Sequence, residues 1–298
     1  MSAADFPVAL ILKERIFMVT IKNNRMEISI ANRGAEIKRV TVDGKDVFWN
    51  GDPAFWDGTA PVLFPMCGGL RDDKYTLDGH EYNLPKHGFA KNMDFAVEKR
   101  GNNFVTFLLT DTDETLSCYP WHFEFRITYS LRATVLEVRY DVKNLSDNRM
   151  YFSLGSHEAY ACPEGIEDYD VIFDKKETLE TCEVVGSLIG NGVKTVLKDS
   201  DTLPLYNEYF EIDALVFKNH KSRAVTLRNR KTGRSVCVEF PDAKYLLIWT
   251  KPNAKFVCIE PWTGIPPMLE DSYAIEEKEG ITALEPNGNY TNTHTIYF

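Results

Sequence analysis

Long apolar runs are what this 298-residue chain has least of. The run near its start, residues 6–12, is too short to cross a bilayer. It follows no basic residue and meets Lys13-Glu14-Arg15 without a small-residue cleavage site. Neither a membrane span nor a signal peptide is expected, and residues 1–16 read as an extension ahead of a single domain over 17–298. Positive charge is also in deficit. There are 34 lysines and arginines against 44 acidic residues, and the net charge of −10 argues against nucleic acid or an anionic membrane as partner. A neutral or locally steered small molecule remains compatible. The six cysteines are scattered without a CxxC pair, which fits a reducing, cytoplasmic setting better than a disulfide framework. A sustained helical period, internal repeats, low-complexity tracts and linker-like shifts in composition are missing too.

What is present is a succession of short strand-like runs. Apolar and polar residues alternate over 19–21 and 26–30 about the turn Lys22-Asn-Asn-Arg25. They alternate again over 37–42 before Asp43-Gly44, a hairpin signal repeated at Asp78-Gly79. Further strands are expected at 74–77, 81–84, 103–110, 122–131, 134–144, 150–154, 214–217, 225–228, 235–240 and 292–298. Residues 245–250 and 256–260 read as a hairpin about Lys251-Pro-Asn-Ala254. Helix is expected only as a turn or two at 53–56 and 272–280. Many closely spaced strands and 12% aromatic residues point to an all-β fold, an antiparallel sandwich or barrel.

One stretch stands out chemically. Phe256-Val-Cys-Ile-Glu260 runs four apolar residues into a carboxylate, and Pro261 and Gly264 are expected to close the strand just beyond it. Such a carboxylate must be hydrogen-bonded, paired or raised in pKa. A general base and a strand end paired to a surface cation are both open here. Four of the histidines have ordinary explanations. His80 and His220 lie at turns, His294 in a polar terminal strand, and His122 in an aromatic strand where packing is its job. His87 differs, lying in the irregular loop Leu84-Pro-Lys-His-Gly-Phe89, where Gly88 permits close approach of a ligand or a backbone. His157 lies in Ser153-Leu-Gly-Ser-His-Glu-Ala-Tyr160, where a strand leaves its sheet through a glycine.

Taken together, Pro61-Val-Leu-Phe-Pro65, Gly69-Leu-Arg71, Lys74-Tyr75, Leu77-Asp-Gly79, Tyr82-Asn-Leu84 and His87-Gly-Phe89 resemble the aldose 1-epimerase (galactose mutarotase) family. Gly155-Ser-His157, Asp213-Ala-Leu-Val-Phe217 and Ile259-Glu-Pro-Trp262 follow in that family's order, most like its LacX-like branch. The resemblance runs from about Asn32 to the C-terminus. It implies a large antiparallel β-supersandwich with a sugar cleft on one concave face, and cofactor-free interconversion of the anomers of an aldose. Carried over by position, Glu260 matches the general base and His157 the general acid. His87 matches a second, sugar-binding histidine, Arg71 a substrate-contacting arginine, and Asp213 an aspartate that binds sugar hydroxyls. Three departures bear on which sugar is bound. Leu70 precedes Arg71 where asparagine is usual, Lys91 stands where arginine is frequent, and Glu158 follows His157 where proline is common.

These residue types suit the reaction. Opening the ring needs a base for the anomeric hydroxyl proton and an acid for the ring oxygen, both active near neutral pH. A part-buried glutamate is a stronger base than a free one, and a histidine near its ordinary pKa of ~6.5 can serve as acid. Trp249 or Trp262 could stack on a sugar face or belong to the core. Other chemistries fit less well. A metal held by the histidines with Glu260 and Asp213 lacks HxH or HxxxH spacing, so no metal is expected. A glycosidase would leave both histidines without a role. A non-catalytic sugar-binding protein on the same sandwich stays open. So does a hexose-6-phosphate mutarotase, for which Arg71, Lys86 and Lys91 are candidate phosphate cations. The expected partner is a small aldohexose, and the expected assembly a monomer or homodimer.

Overall fold

The computed structural model describes residues 17–298, so the extension expected at 1–16 lies outside the described residues. Strands β1 (Met18–Lys22), β2 (Met26–Ala31), β3 (Ile37–Val42) and β4 (Lys45–Asp46) form a four-stranded antiparallel sheet. After the hairpin β5 (Lys74–Leu77) and β6 (His80–Asn83) come β7 (Ala96–Arg100), β8 (Phe104–Thr110), helix α1 (Asp113–Cys118), β9 (Phe123–Arg132) and β10 (Val135–Asn144). Then follow β11 (Met150–Phe152), β12 (Glu158–Ala161), β13 (Tyr169–Val185), β14 (Leu188–Pro204), β15 (Leu215–Phe217), β16 (Ala224–Asn229) and β17 (Ser235–Glu239). The last are β18 (Tyr245–Trp249), β19 (Phe256–Trp262), β20 (Thr282–Leu284) and β21 (Asn289–Tyr297). A nine-stranded sheet runs β14-β13-β16-β17-β21-β10-β9-β8-β7, and a second four-stranded sheet runs β12-β19-β18-β15. Every strand pair in both is antiparallel, as an all-β sandwich requires.

Alternation in sequence decides the faces. In β9 every second residue, Phe123, Phe125, Ile127, Tyr129 and Leu131, is buried, while the residues between are part exposed. In β18 and β19, Leu246, Ile248, Val257 and Ile259 join one large apolar core with residues of the nine-stranded sheet. Leu247, Cys258 and Glu260 occupy the alternate positions of the same strands, so Glu260 stands on the face turned away from that core.

Several expectations need correcting. Residues 155–213 show no strand signal, yet they form β12 and the 17-residue strands β13 and β14. Charged residues such as Asp174, Lys175, Lys176 and Glu177 sit in β13, and repeated register shifts against β14 break the period-2 pattern. The stretch 53–56 is an irregular turn, and 272–280 holds only the short 3₁₀ turn Ile275–Glu277. Helix falls instead at α1, where Thr112 and Thr115 close a reciprocal cap. Pro261 does not end its strand. It lies inside β19 opposite Leu246, beyond the end of β12, where its missing N–H deprives no neighbour. His122 is exposed beside Asp111 at 2.8 Å, not packed. His220, expected at a turn, is buried with Nδ1 against the Ser222 carbonyl.

All six cysteines are free, and no helix among the described residues is long and apolar enough to cross a membrane.

Candidate active site

On the face of β18 and β19 turned from the core lies a cavity of about 470 Å³, within the ~300–1,000 Å³ of small-molecule sites. Glu260, His157, His87 and Asp213 all line it. Arg71 does not. Its guanidinium lies 3.8 Å from the centre of the Tyr273 ring and Nη1 donates to the Leu269 carbonyl at 3.1 Å.

Glu260 is held by the β18–β19 ladder opposite Leu247 and is only 2% exposed. Burial pushes its carboxyl well above the usual range, and the negative charge of Asp213 adds to this. Its Oε2 faces His157 Nε2 at 3.4 Å, and no backbone or side-chain donor among the described residues hydrogen-bonds to its carboxylate. His157 sits just ahead of β12, where the chain crosses from Gly155. That glycine bridges Leu63 on one side and Trp262 on the other, and a Cβ there would meet Trp262 Cδ1 at 2.4 Å. Trp56 stacks on the imidazole at 5.0 Å and Trp249 meets it edge-on at 5.4 Å. Burial lowers the His157 pKa to about 3, with the charges of Lys86 and Lys91 acting in the same direction. The histidine near its ordinary pKa that the sequence suggests is therefore corrected. Burial thus disfavours the charged form of both groups.

His87 has φ +67 and the following Gly88 φ +68. A Cβ on Gly88 would lie 2.3 Å from the Phe64 carbonyl oxygen, so the close approach that glycine permits is to backbone. His87 N–H donates to the Gly68 carbonyl (2.8 Å), and Gly68 N–H donates to His87 Nδ1 (3.1 Å). An accepting Nδ1 assigns the proton to Nε2, so the ring is a neutral donor, and burial keeps its pKa well below 6.5. Asp213 stands on the loop between β14 and β15, with Oδ1 accepting the Ala214 N–H at 2.8 Å. Lys86, Lys91 and Lys251 also line the cavity.

Trp249 and Trp262 both line the cavity, and Trp262 is anchored by donation from Nε1 to the Ser156 carbonyl at 3.1 Å. Trp56 escaped the sequence reading. Its contact with His157 spans about a hundred residues, and the only local hint is a tryptophan in a turn. Cys258, two residues from Glu260 on the same strand face, packs in an apolar cluster with Trp49, Ala159, Ala254 and Phe256. Glu158 is buried on the core side and meets His294 Nε2 at 2.9 Å. That contact accounts for a histidine expected in a polar strand.

Residues 18–297 match the family model described as aldose 1-epimerase. The chain is 31% identical over 286 residues to the plasmid-encoded protein LacX of Lactococcus lactis subsp. lactis, covering 90% of this chain and 95% of that one. Among solved structures it is similar to a galactose mutarotase-related enzyme from Lactobacillus acidophilus, with a TM-score of 0.90 at 34% identity, covering 94% of this chain and 97% of that one. A galactose mutarotase-like protein from Lactobacillus casei gives 0.88 at 28% identity over 94% and 99% of the two chains.

Proposed function

Because the chain belongs to the aldose 1-epimerase family, we propose that it interconverts the α and β anomers of an aldose by acid–base ring opening and reclosure. The observation that carries this reading is the buried Glu260–His157 pair, facing across 3.4 Å at the cavity wall. A sugar brings to Glu260 the hydroxyl donors that the protein does not. Those hydrogen bonds favour the carboxylate and shift the shared proton to His157. Glu260 then takes the proton from the anomeric hydroxyl while His157 gives one to the ring oxygen. The C1–O5 bond breaks and an aldehyde forms. Rotation about C1–C2 and the reverse transfers close the ring on the other face. The pair ends with the one proton it began with, so the cycle balances without a cofactor. His87, as a neutral donor, and Asp213, as an acceptor, bind the sugar hydroxyls.

A second reading, a sugar phosphate as substrate, is favoured by Lys86, Lys91 and Lys251. All three line the cavity, and none is paired with a carboxylate among the described residues. Anomer exchange by NMR or polarimetry on glucose, galactose and their 6-phosphates tests the proposal. Acceleration is expected on at least one sugar, and Glu260→Gln should lower it about 10²–10⁴-fold. Binding without acceleration across the panel would leave a sugar-binding protein instead, and an unimpaired Glu260→Gln would remove Glu260 as the base.

A further inference from the structure

Cys258 has no part in the reaction above, yet its thiol stands beside both reacting groups. Cys258 and Glu260 project from one face of β19, and His157 meets them from ahead of β12. The ligand atoms of the three side chains all lie within 4.8 Å of one another, and all three residues are buried. Two zinc ligands at about 2.1 Å in a tetrahedral site lie about 3.4 Å apart. His157 Nε2 and Glu260 Oε2 are already 3.4 Å apart. With a zinc–sulfur bond of about 2.3 Å the thiol belongs about 3.6 Å from the other two ligands, so it needs to close by at most about 1.2 Å. A second observation points to a ligand independently of spacing. The buried His157 imidazole keeps Nδ1 without a hydrogen-bond partner among the described residues, and it borders the cavity beside Glu260.

We propose that His157, Cys258 and Glu260 form an inhibitory site for a thiophilic divalent cation such as Zn²⁺, leaving the fourth position open to the cavity. Binding forms one bond each from nitrogen, sulfur and carboxylate oxygen and releases the thiol and carboxyl protons to solvent through the cavity, since a coordinating thiol loses its proton to the metal. The cation occupies the lone pairs that the base and acid use, so it competes with the sugar. Hard cations gain nothing from a thiolate, so Mg²⁺ and Ca²⁺ leave the protein unaffected. The inhibitory effect rests on the mutarotase reading, whereas the site itself does not.

Two measurements on the full chain test it. Co²⁺ added to the protein should give a tetrahedral absorption spectrum with a thiolate-to-metal charge-transfer band, absent in Cys258→Ala and Cys258→Ser. Anomer exchange should be inhibited by Zn²⁺ and restored by EDTA. Cys258→Ala should retain metal-free activity and need at least about tenfold more Zn²⁺ for the same inhibition. A Co²⁺ spectrum without the thiolate band, or Zn²⁺ sensitivity unchanged in Cys258→Ala, overturns the site. If no sugar is turned over, the Co²⁺ band still decides the question by itself.

Discussion

His87 illustrates how a backbone conformation sets a side chain's chemistry. Two successive left-handed residues let the loop turn back on Gly68, and the reciprocal hydrogen bonds there fix the imidazole tautomer. The device depends on Gly88, since any Cβ would collide with the Phe64 carbonyl. Gly88→Ala should therefore cost about 1–3 kcal/mol in urea unfolding and lower anomer exchange as well, because His87 moves with the loop. Gly79→Ala is the control. It also has positive φ, at +78, but nothing lies within 4 Å of its Cβ position. It should lose about 1 kcal/mol and no activity. Equal losses in both variants would reduce Gly88 to a turn residue. At this scale the sequence is informative where chemistry is local. A glutamate after four apolar residues, and a histidine beside a glycine, can be picked out by eye. Trp56 stacking on His157, and the pairing of Glu158 with His294, are contacts between distant segments that no local pattern announces.

Among the elements, the strands easiest to read have one face in the core and one toward solvent, such as β9 and β10, where burial alternates residue by residue. β13 and β14 are hard to read because their outer stretches extend past the core and carry charge on both faces. Loops pose a separate problem, met by buried polar groups. The segment following β19 is tied down by Lys278, which is buried and donates to the carbonyls of Ile265 and Glu279. Burial lowers its pKa from 10.5 to about 8. The sign follows directly. Between about pH 8 and 10.5 the unfolded chain binds this proton and the folded one does not, so this group makes stability rise with pH across that window. Below pH 8 both states hold the proton and the contribution is flat, at its least favourable. Lys278→Met should remove the rise, a difference of a few kcal/mol between pH 8 and 10.5. Urea midpoints of the two proteins across that range measure it, and parallel curves would show that the two carbonyls keep the ammonium fully charged.

For the molecule as a whole, two charge scales compete. The net charge of −10 repels an anionic substrate, whereas Lys86, Lys91 and Lys251 attract one locally. Ionic strength separates them, because the Debye length is about 30 Å at 0.01 M and about 8 Å at 0.15 M. A neutral aldose feels neither field. Its kcat/KM should stay within about twofold from 0.01 to 0.5 M salt. A hexose 6-phosphate, if it is the substrate, is drawn by the lysines at close range even where the distant charge is screened. Its kcat/KM should then fall several-fold between 0.15 and 0.5 M as the local attraction is screened in turn. Replacing Lys86 and Lys91 together by alanine should raise KM for the phosphate about tenfold or more and weaken that salt dependence, since only Lys251 of the three remains. The neutral sugar's salt profile should stay flat in the same variant. A flat profile for the phosphate, with KM unmoved in the double variant, leaves the lysines with no phosphate to bind. The neutral aldose then stands as the substrate, and the lysines act only through the charge they place beside His157 and Glu260.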